Sequence, residues 1–83
     1  MKTDKAEYPQ IQQSILQFLF DRARATTFGD IVKLVGKPES EARYHCDVLV
    51  SQRVIAGESV RVGSQIVGGY VITAAGRKRI MEQ

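Results

Sequence analysis

Hydrophobic spacing along this chain changes period once, and the change divides it into a helical part and a strand part. From Pro9 to Arg22, Ile11, Ile15, Phe18 and Leu19 fall at i, i+4, i+7 and i+8, with the stem of Arg22 at i+11. That spacing lines one face of a helix. Leu16 and Phe20 add a second i, i+4 pair. The apolar stripe is therefore wide enough for a helix packed on two neighbours or, on a sharper reading, for a dimer seam. Pro9 suits a first helical turn, where its missing N–H costs nothing. Residues 1–8 lack this periodicity and are expected to form a flexible leader, with a single domain over 9–83.

Thr26 and Thr27 then break the helical pattern with an extended piece, and Thr27 followed by Asp30 has the spacing of a capping box. Ile31, Leu34 and Val35 supply i, i+3, i+4 contacts for a short second helix, which Gly36 stops. Lys37 and Pro38 make the turn, and a third helix is predicted from about Glu39 to Arg53. Two helices joined in this way form the helix-turn-helix pattern. On the third helix Ala42, Cys46, Leu49 and the stem of Arg53 share one side. Ser40, Arg43, Tyr44, Asp47 and Ser51 share the other, with His45 at the boundary.

Beyond this point the period is two. Val54 to Val62 and Gln65 to Thr73 read as strands joined by a Gly63-Ser64 turn. Setting Val62 opposite Gln65 places Val60 opposite Val67, Ala56 opposite Val71 and Ile55 opposite Ile72, so apolar residues meet along most of the ladder. Gly68 and Gly69 predict a bulge or twist in the middle. Thr73 can cap a last short helix from Ala74 to about Met81, which Gly76 weakens. The expected fold class is α+β: a three-helix core, a two-stranded hairpin and a short C-terminal helix.

Composition narrows the class. Eighty-three residues with 43% hydrophobic and 25% charged side chains match an ordinary globular chain of one domain. No apolar run exceeds three residues, against the roughly 20 of a membrane span, so no membrane association is expected. No secretory leader is visible, and the lone Cys46 suits a reducing cytoplasm. The net charge of +3 is uneven. Residues 1–41 balance six basic against six acidic groups, whereas residues 42–83 set six basic against three acidic. The basic excess thus lies in the half holding most of the third helix and the hairpin.

Candidate chemistry is sparse. His45 and Cys46 are adjacent, hence point about 100° apart on a helix, and no second His or Cys exists to complete a metal site. The same geometry prevents a nucleophile–base pair, and no carboxylate pair stands out, so neither a cofactor nor an enzyme is expected. Gly63 to Gly68 has the spacing of a phosphate loop, but Gly69-Tyr70 follows where Lys-Ser/Thr is needed. Cys46 reads as a small buried hydrophobe and His45 as a hydrogen-bonding residue at the helix boundary.

The element order is that of a winged helix, and short motifs agree. Ala42-Arg43-Tyr44-His45-Cys46-Asp47-Val48-Leu49 resembles the recognition helix of ArsR repressors, with His45, Val48 and Leu49 at matching positions. Val54-Ile55 stands where those proteins begin the wing. Tyr70-Val71-Ile72-Thr73-Ala74-Ala75-Gly76-Arg77 resembles the segment closing the wing in MarR- and PadR-type regulators. The triplet Ala42-Arg43-Tyr44 is similar to small pilus-operon regulators. Arg53 departs from the pattern, standing where a glycine usually precedes the wing; Arg43 replaces a serine, and Lys37 an apolar residue. The resemblance implies a prokaryotic or phage regulator binding double-stranded DNA.

On that reading Ser40, Arg43, Tyr44 and Asp47 meet base edges in the major groove. Lys33, Lys37, Arg61, Ser64, Arg77, Lys78 and Arg79 hold the backbone or minor groove. The helix from Pro38 to Arg53 carries a net −1, because Glu39, Glu41 and Asp47 outnumber Arg43 and Arg53. Glu39 and Glu41 are explained as first-turn acids favouring the helix dipole, whereas Asp47 would have to accept from a cytosine amino group. The alternative is a winged helix that contacts a protein partner without reading DNA. RNA binding finds less support, since Tyr44 is the one ring placed to stack on a base. A homodimer on DNA is open on either reading.

Overall fold

The computed structural model describes residues 5–82. The first four residues of the expected leader, together with Gln83, lie outside them. Lys5–Glu7 forms a single 3₁₀ turn that runs into helix α1, Tyr8–Arg22, with Pro9 in its first turn. Helix α1 buries Ile15, Leu16 and Leu19. Leu16 is 1% exposed and Phe20 packs against the same core, so this pair serves the domain's own interior rather than a dimer seam. The helix ends where Ala23 turns left-handed and donates its N–H to the Leu19 carbonyl.

The Thr26–Thr27 piece is strand β1, and Phe28–Val35 is α2. Thr27 caps α2 as its spacing predicts: its hydroxyl accepts the Asp30 N–H at 3.2 Å. The Asp30 carboxylate lies 3.8 Å from Arg22, so it links α2 to the end of α1. Gly36, at φ 68°, closes α2, and α3 follows as Glu39–Ser51.

Helix α3 ends two residues before the expected Arg53, because Arg53 itself adopts φ 63°. A non-glycine residue in that region costs about 1–2 kcal/mol. The chain thus makes with an arginine the left-handed turn that glycine adopts freely. Arg53→Gly is expected to raise thermal stability by about 0.5–1 kcal/mol, or roughly 2–8 °C, after allowing for glycine's greater unfolded-state freedom. A melt of the two proteins by circular dichroism checks this.

Strands β2 (Ile55–Val62) and β3 (Gln65–Ile72) pair antiparallel in the expected register, with Val60 opposite Val67, Ala56 opposite Val71 and Ile55 opposite Ile72. Gly63 sits at φ 62° in the turn. No bulge interrupts Gly68 and Gly69, which pair with Ser59 and Glu58. Instead β1 joins the other edge of β3, placing Thr26 opposite Tyr70 and Thr27 opposite Gly69. The sheet therefore has three strands, in the order β1-β3-β2. A Cβ on Gly69 would overlap the Thr26 carbonyl and the Val60 side chain, whereas one on Gly68 would meet nothing. Gly69 is where β1 comes close.

The core gathers Ile15, Leu16, Leu19, Ile31, Cys46, Leu49, Val54, Ile55 and Ile72 from helices and hairpin alike. Helix α4, Ala74–Met81, closes it against α1. Thr73 fixes the junction twice, donating its hydroxyl to the Arg53 carbonyl at 2.7 Å and accepting the Gly76 N–H at 3.1 Å. Gly76 is buried, and a side chain there would overlap the Val54 carbonyl and Ile72. The glycine that weakens this helix by propensity is thus the residue that lets it dock. Three helices around a hairpin base, with the hairpin projecting beside α3, make a winged helix-turn-helix.

Candidate nucleic-acid interface

Helix α3 turns Ala42, Cys46 and Leu49 into the core. His45 goes with them: it is fully buried rather than at the boundary. Gln12 donates to His45 Nδ1 at 3.1 Å, and the Tyr8 ring meets the imidazole nearly at right angles, with centroids 4.7 Å apart. Nε2 has no hydrogen-bond partner. Burial lowers the His45 pKa below its usual value, with Glu41 one turn earlier pulling weakly the other way. The ring is neutral near pH 7. Burial likewise pushes the Cys46 thiol up to about 11, which leaves it an unreactive core residue.

The opposite face of α3 stays open. Ser40, Arg43, Tyr44 and Asp47 are all exposed, Tyr44 at 50%. They divide into two groups. Ser40 and Tyr44 line a shallow depression with Lys5, Tyr8 and Glu41, and the Tyr44 ring lies 5.6 Å from that of Tyr8. Arg43 turns toward the wing, its guanidinium carbon 4.4 Å from the centre of the Phe28 ring. Phe28 in turn meets Tyr70 edge-on at 6.3 Å. A cation over an aromatic face gains about 0.5–1 kcal/mol when partly exposed, enough to bias the rotamer of a long side chain.

These residues edge a cleft of about 350 Å³ between α3 and the hairpin. Its floor is open because Gly57, Ser59 and Gly68 present little or no side chain on the hairpin face that carries Tyr70. Burial raises the Tyr70 pKa; nearby Cys46 and Asp47 raise it further, and Arg43 lowers it. Arg43 and Asp47, one turn apart on α3, thus act on Tyr70 in opposite directions.

The remaining candidates fall in three places. Arg61 and Ser64 are exposed on the wing, whose tip also shows Val62 and Ile66. Lys33 is exposed at the end of α2, and Lys37 is half-buried in the following turn. The α4 cluster sits elsewhere: Arg79 donates to Gln52 at 2.8 Å, Lys78 lies 3.9 Å from Glu82, and Arg77 is exposed. Gln52 caps the C-terminal end of α3, nine residues and so about 13 Å along the axis from Arg43. Phe28, the ring partner of Arg43, carries no signal in the sequence as a site residue, and Tyr70 is marked there only by the segment that resembles a wing closure.

No helix among the described residues is long and apolar enough to cross a membrane. No family model matches the chain, and no curated protein matches it. Solved structures do share its fold. A MarR family transcriptional regulator from Silicibacter pomeroyi superposes with a TM-score of 0.77 at 22% identity, over 93% of this chain and 50% of that one. A protein of Thermoplasma acidophilum described as a transcriptional regulator superposes at 0.72 with 18% identity, over 99% of this chain and 82% of that one. The chain therefore spans half the length of the first and most of the second.

Proposed function

We propose that this domain binds duplex DNA as the reading head of a transcription regulator, with α3 in the major groove and the β2–β3 wing on the adjoining backbone or minor groove. The observation that carries this reading is the uncovered polar face of α3. Ser40, Arg43, Tyr44 and Asp47 are exposed, and the wing bearing Arg61 stands alongside. Hydrogen-bonding side chains on a helix of this length match what a major groove admits. The likeness to two solved transcriptional regulators supports the same reading. Arg43 reads a base, Ser40, Tyr44 and Asp47 complete the helix contact, and Lys33, Lys37, Arg61 and Ser64 hold phosphates. Arg77, Lys78 and Arg79 add charge at the far end of α3. A regulator of this kind is not an enzyme, and a second copy on a neighbouring half-site about 34 Å away fits the geometry of such modules.

Fluorescence anisotropy with a labelled random duplex tests this. Binding is expected at 50 mM salt and should weaken steeply by 200 mM, with the logarithm of affinity falling by about 0.9 per neutralised phosphate for each decade of salt. No binding at 50 mM salt would contradict the proposal and favour a protein partner for the same face.

A further inference from the structure

A second basic site lies outside α3 and α4, in a cleft of about 280 Å³ where the end of α1, strand β1 and the wing meet. Arg22, Arg24 and Arg61 line it, together with Thr27, Asp30 and Val60. Three arginines and one aspartate line it, from segments far apart in sequence. Arg22 is already engaged: it lies 3.8 Å from Asp30 and 4.8 Å above the Phe18 ring. That pairing cancels one charge and leaves Arg24 and Arg61. Among the described residues neither has an acidic partner within 4 Å. The segment carrying Arg24 is fixed rather than loose. Ala23 caps α1, the Thr26 hydroxyl donates to the Arg24 carbonyl at 3.4 Å, and β1 is paired to β3.

Among the described residues these two arginines line one cleft and neither forms an ion pair that would contribute to folding. A cation past the last turn of α1 also complements that helix's dipole, but this accounts for Arg22 in the last turn and does not bring Arg61 to the same cleft. A bound anion accounts for both.

We propose that Arg24 and Arg61, with Arg22 behind them, form a phosphate clamp on the β1 flank of the wing and grip the DNA backbone. Arg61 belongs both to this cleft and to the wing beside α3, so a strand of phosphates following the wing reaches Arg24 next. The proposal rests on the DNA-binding reading and adds to it two residues from the end of α1. Arginine suits the task, because its planar fork matches phosphate oxygens two at a time.

The experiment compares wild type, Arg24→Gln and Arg53→Gly on one random duplex between 50 and 200 mM salt. Arg53→Gly removes one exposed arginine to which no DNA contact is assigned. Arg24→Gln should flatten the salt slope by about 0.9, so that the affinity lost over this range shrinks about threefold, and should weaken all duplex sequences alike. Arg53→Gly should keep the wild-type slope. Equal slopes for wild type and Arg24→Gln overturn the clamp while leaving DNA binding intact; absence of wild-type binding overturns both. Inorganic pyrophosphate is titrated in parallel without DNA. Its saturable binding, lost in Arg24→Gln while the DNA slope is unchanged, would make the site one for a free phosphorylated ligand and likewise overturn the backbone clamp.

Discussion

Arg43→Ala is expected to abolish preference at one base-pair position of the preferred duplex, by roughly 5- to 150-fold, while other positions keep theirs. The range follows from about 1–3 kcal/mol of discrimination for a good bidentate pair to guanine. The structure gives the reason to expect the upper part of it. Arg43 is exposed, but the Phe28 ring 4.4 Å from its guanidinium carbon holds the plane toward the wing. Phe28 is itself braced by Tyr70, which β3 pairs to β1 on one side and β2 on the other. A reader oriented before binding loses less side-chain entropy when it binds. Lysine should not rescue the preference, because a point charge has neither the fork nor the plane that stacks on Phe28. Site selection from randomised duplexes, run on wild type and both variants, measures this. Uniform weakening at every position would make Arg43 a phosphate contact instead.

The second large effect concerns stability and separates two adjacent glycines. Gly69→Ala is expected to destabilise the domain by about 3 kcal/mol or more, because the added carbon meets the Thr26 carbonyl and the Val60 side chain. The carbonyl cannot retreat without breaking the β1–β3 pairing. In a domain this small that is a fall of roughly 12–24 °C in melting temperature. Gly68→Ala, one residue earlier, faces open space and should change the melting temperature little. Thermal melts of the two variants beside wild type decide it. A Gly69→Ala melt as high as that of Gly68→Ala would mean that the approach of β1 does not govern the site.

The same two glycines show how far the sequence could be read. The hairpin register was legible because Val60, Val67, Ala56, Val71, Ile55 and Ile72 meet only when Val62 faces Gln65. The helix-turn-helix was legible through the Thr27 cap and the Gly36 stop, both of which have strictly local causes. The third strand was not. Two threonines carry no period, and their pairing with Tyr70 and Gly69 depends on contacts more than forty residues away. Without β1 in view, Gly69 looks like a weak point in a strand; with it, the glycine is the space β1 occupies.

The site was legible in part for the same reason. Helical spacing separated the exposed Ser40, Arg43, Tyr44 and Asp47 from the buried Ala42, Cys46 and Leu49. It left His45 at the edge, and only the packing of Tyr8 and Gln12 from α1 explains why the ring is buried. Spacing within α3 likewise cannot show that Arg43 leans on Phe28 while Tyr44 leans on Tyr8, since both rings arrive from other elements. Arg22 was legible only as the last residue of a helix face, and nothing in the sequence links it or Arg24 to the wing residue with which they line a cleft.

The most direct test follows the amide resonances of isotope-labelled protein through a titration with a short duplex at low salt. The account predicts shifts concentrated in residues 39–47 of α3 and 61–66 of the wing, with residues 22–27 joining them, and little change along the outer face of α1. A spectrum that does not move, or shifts confined to α1 and α4, would contradict it.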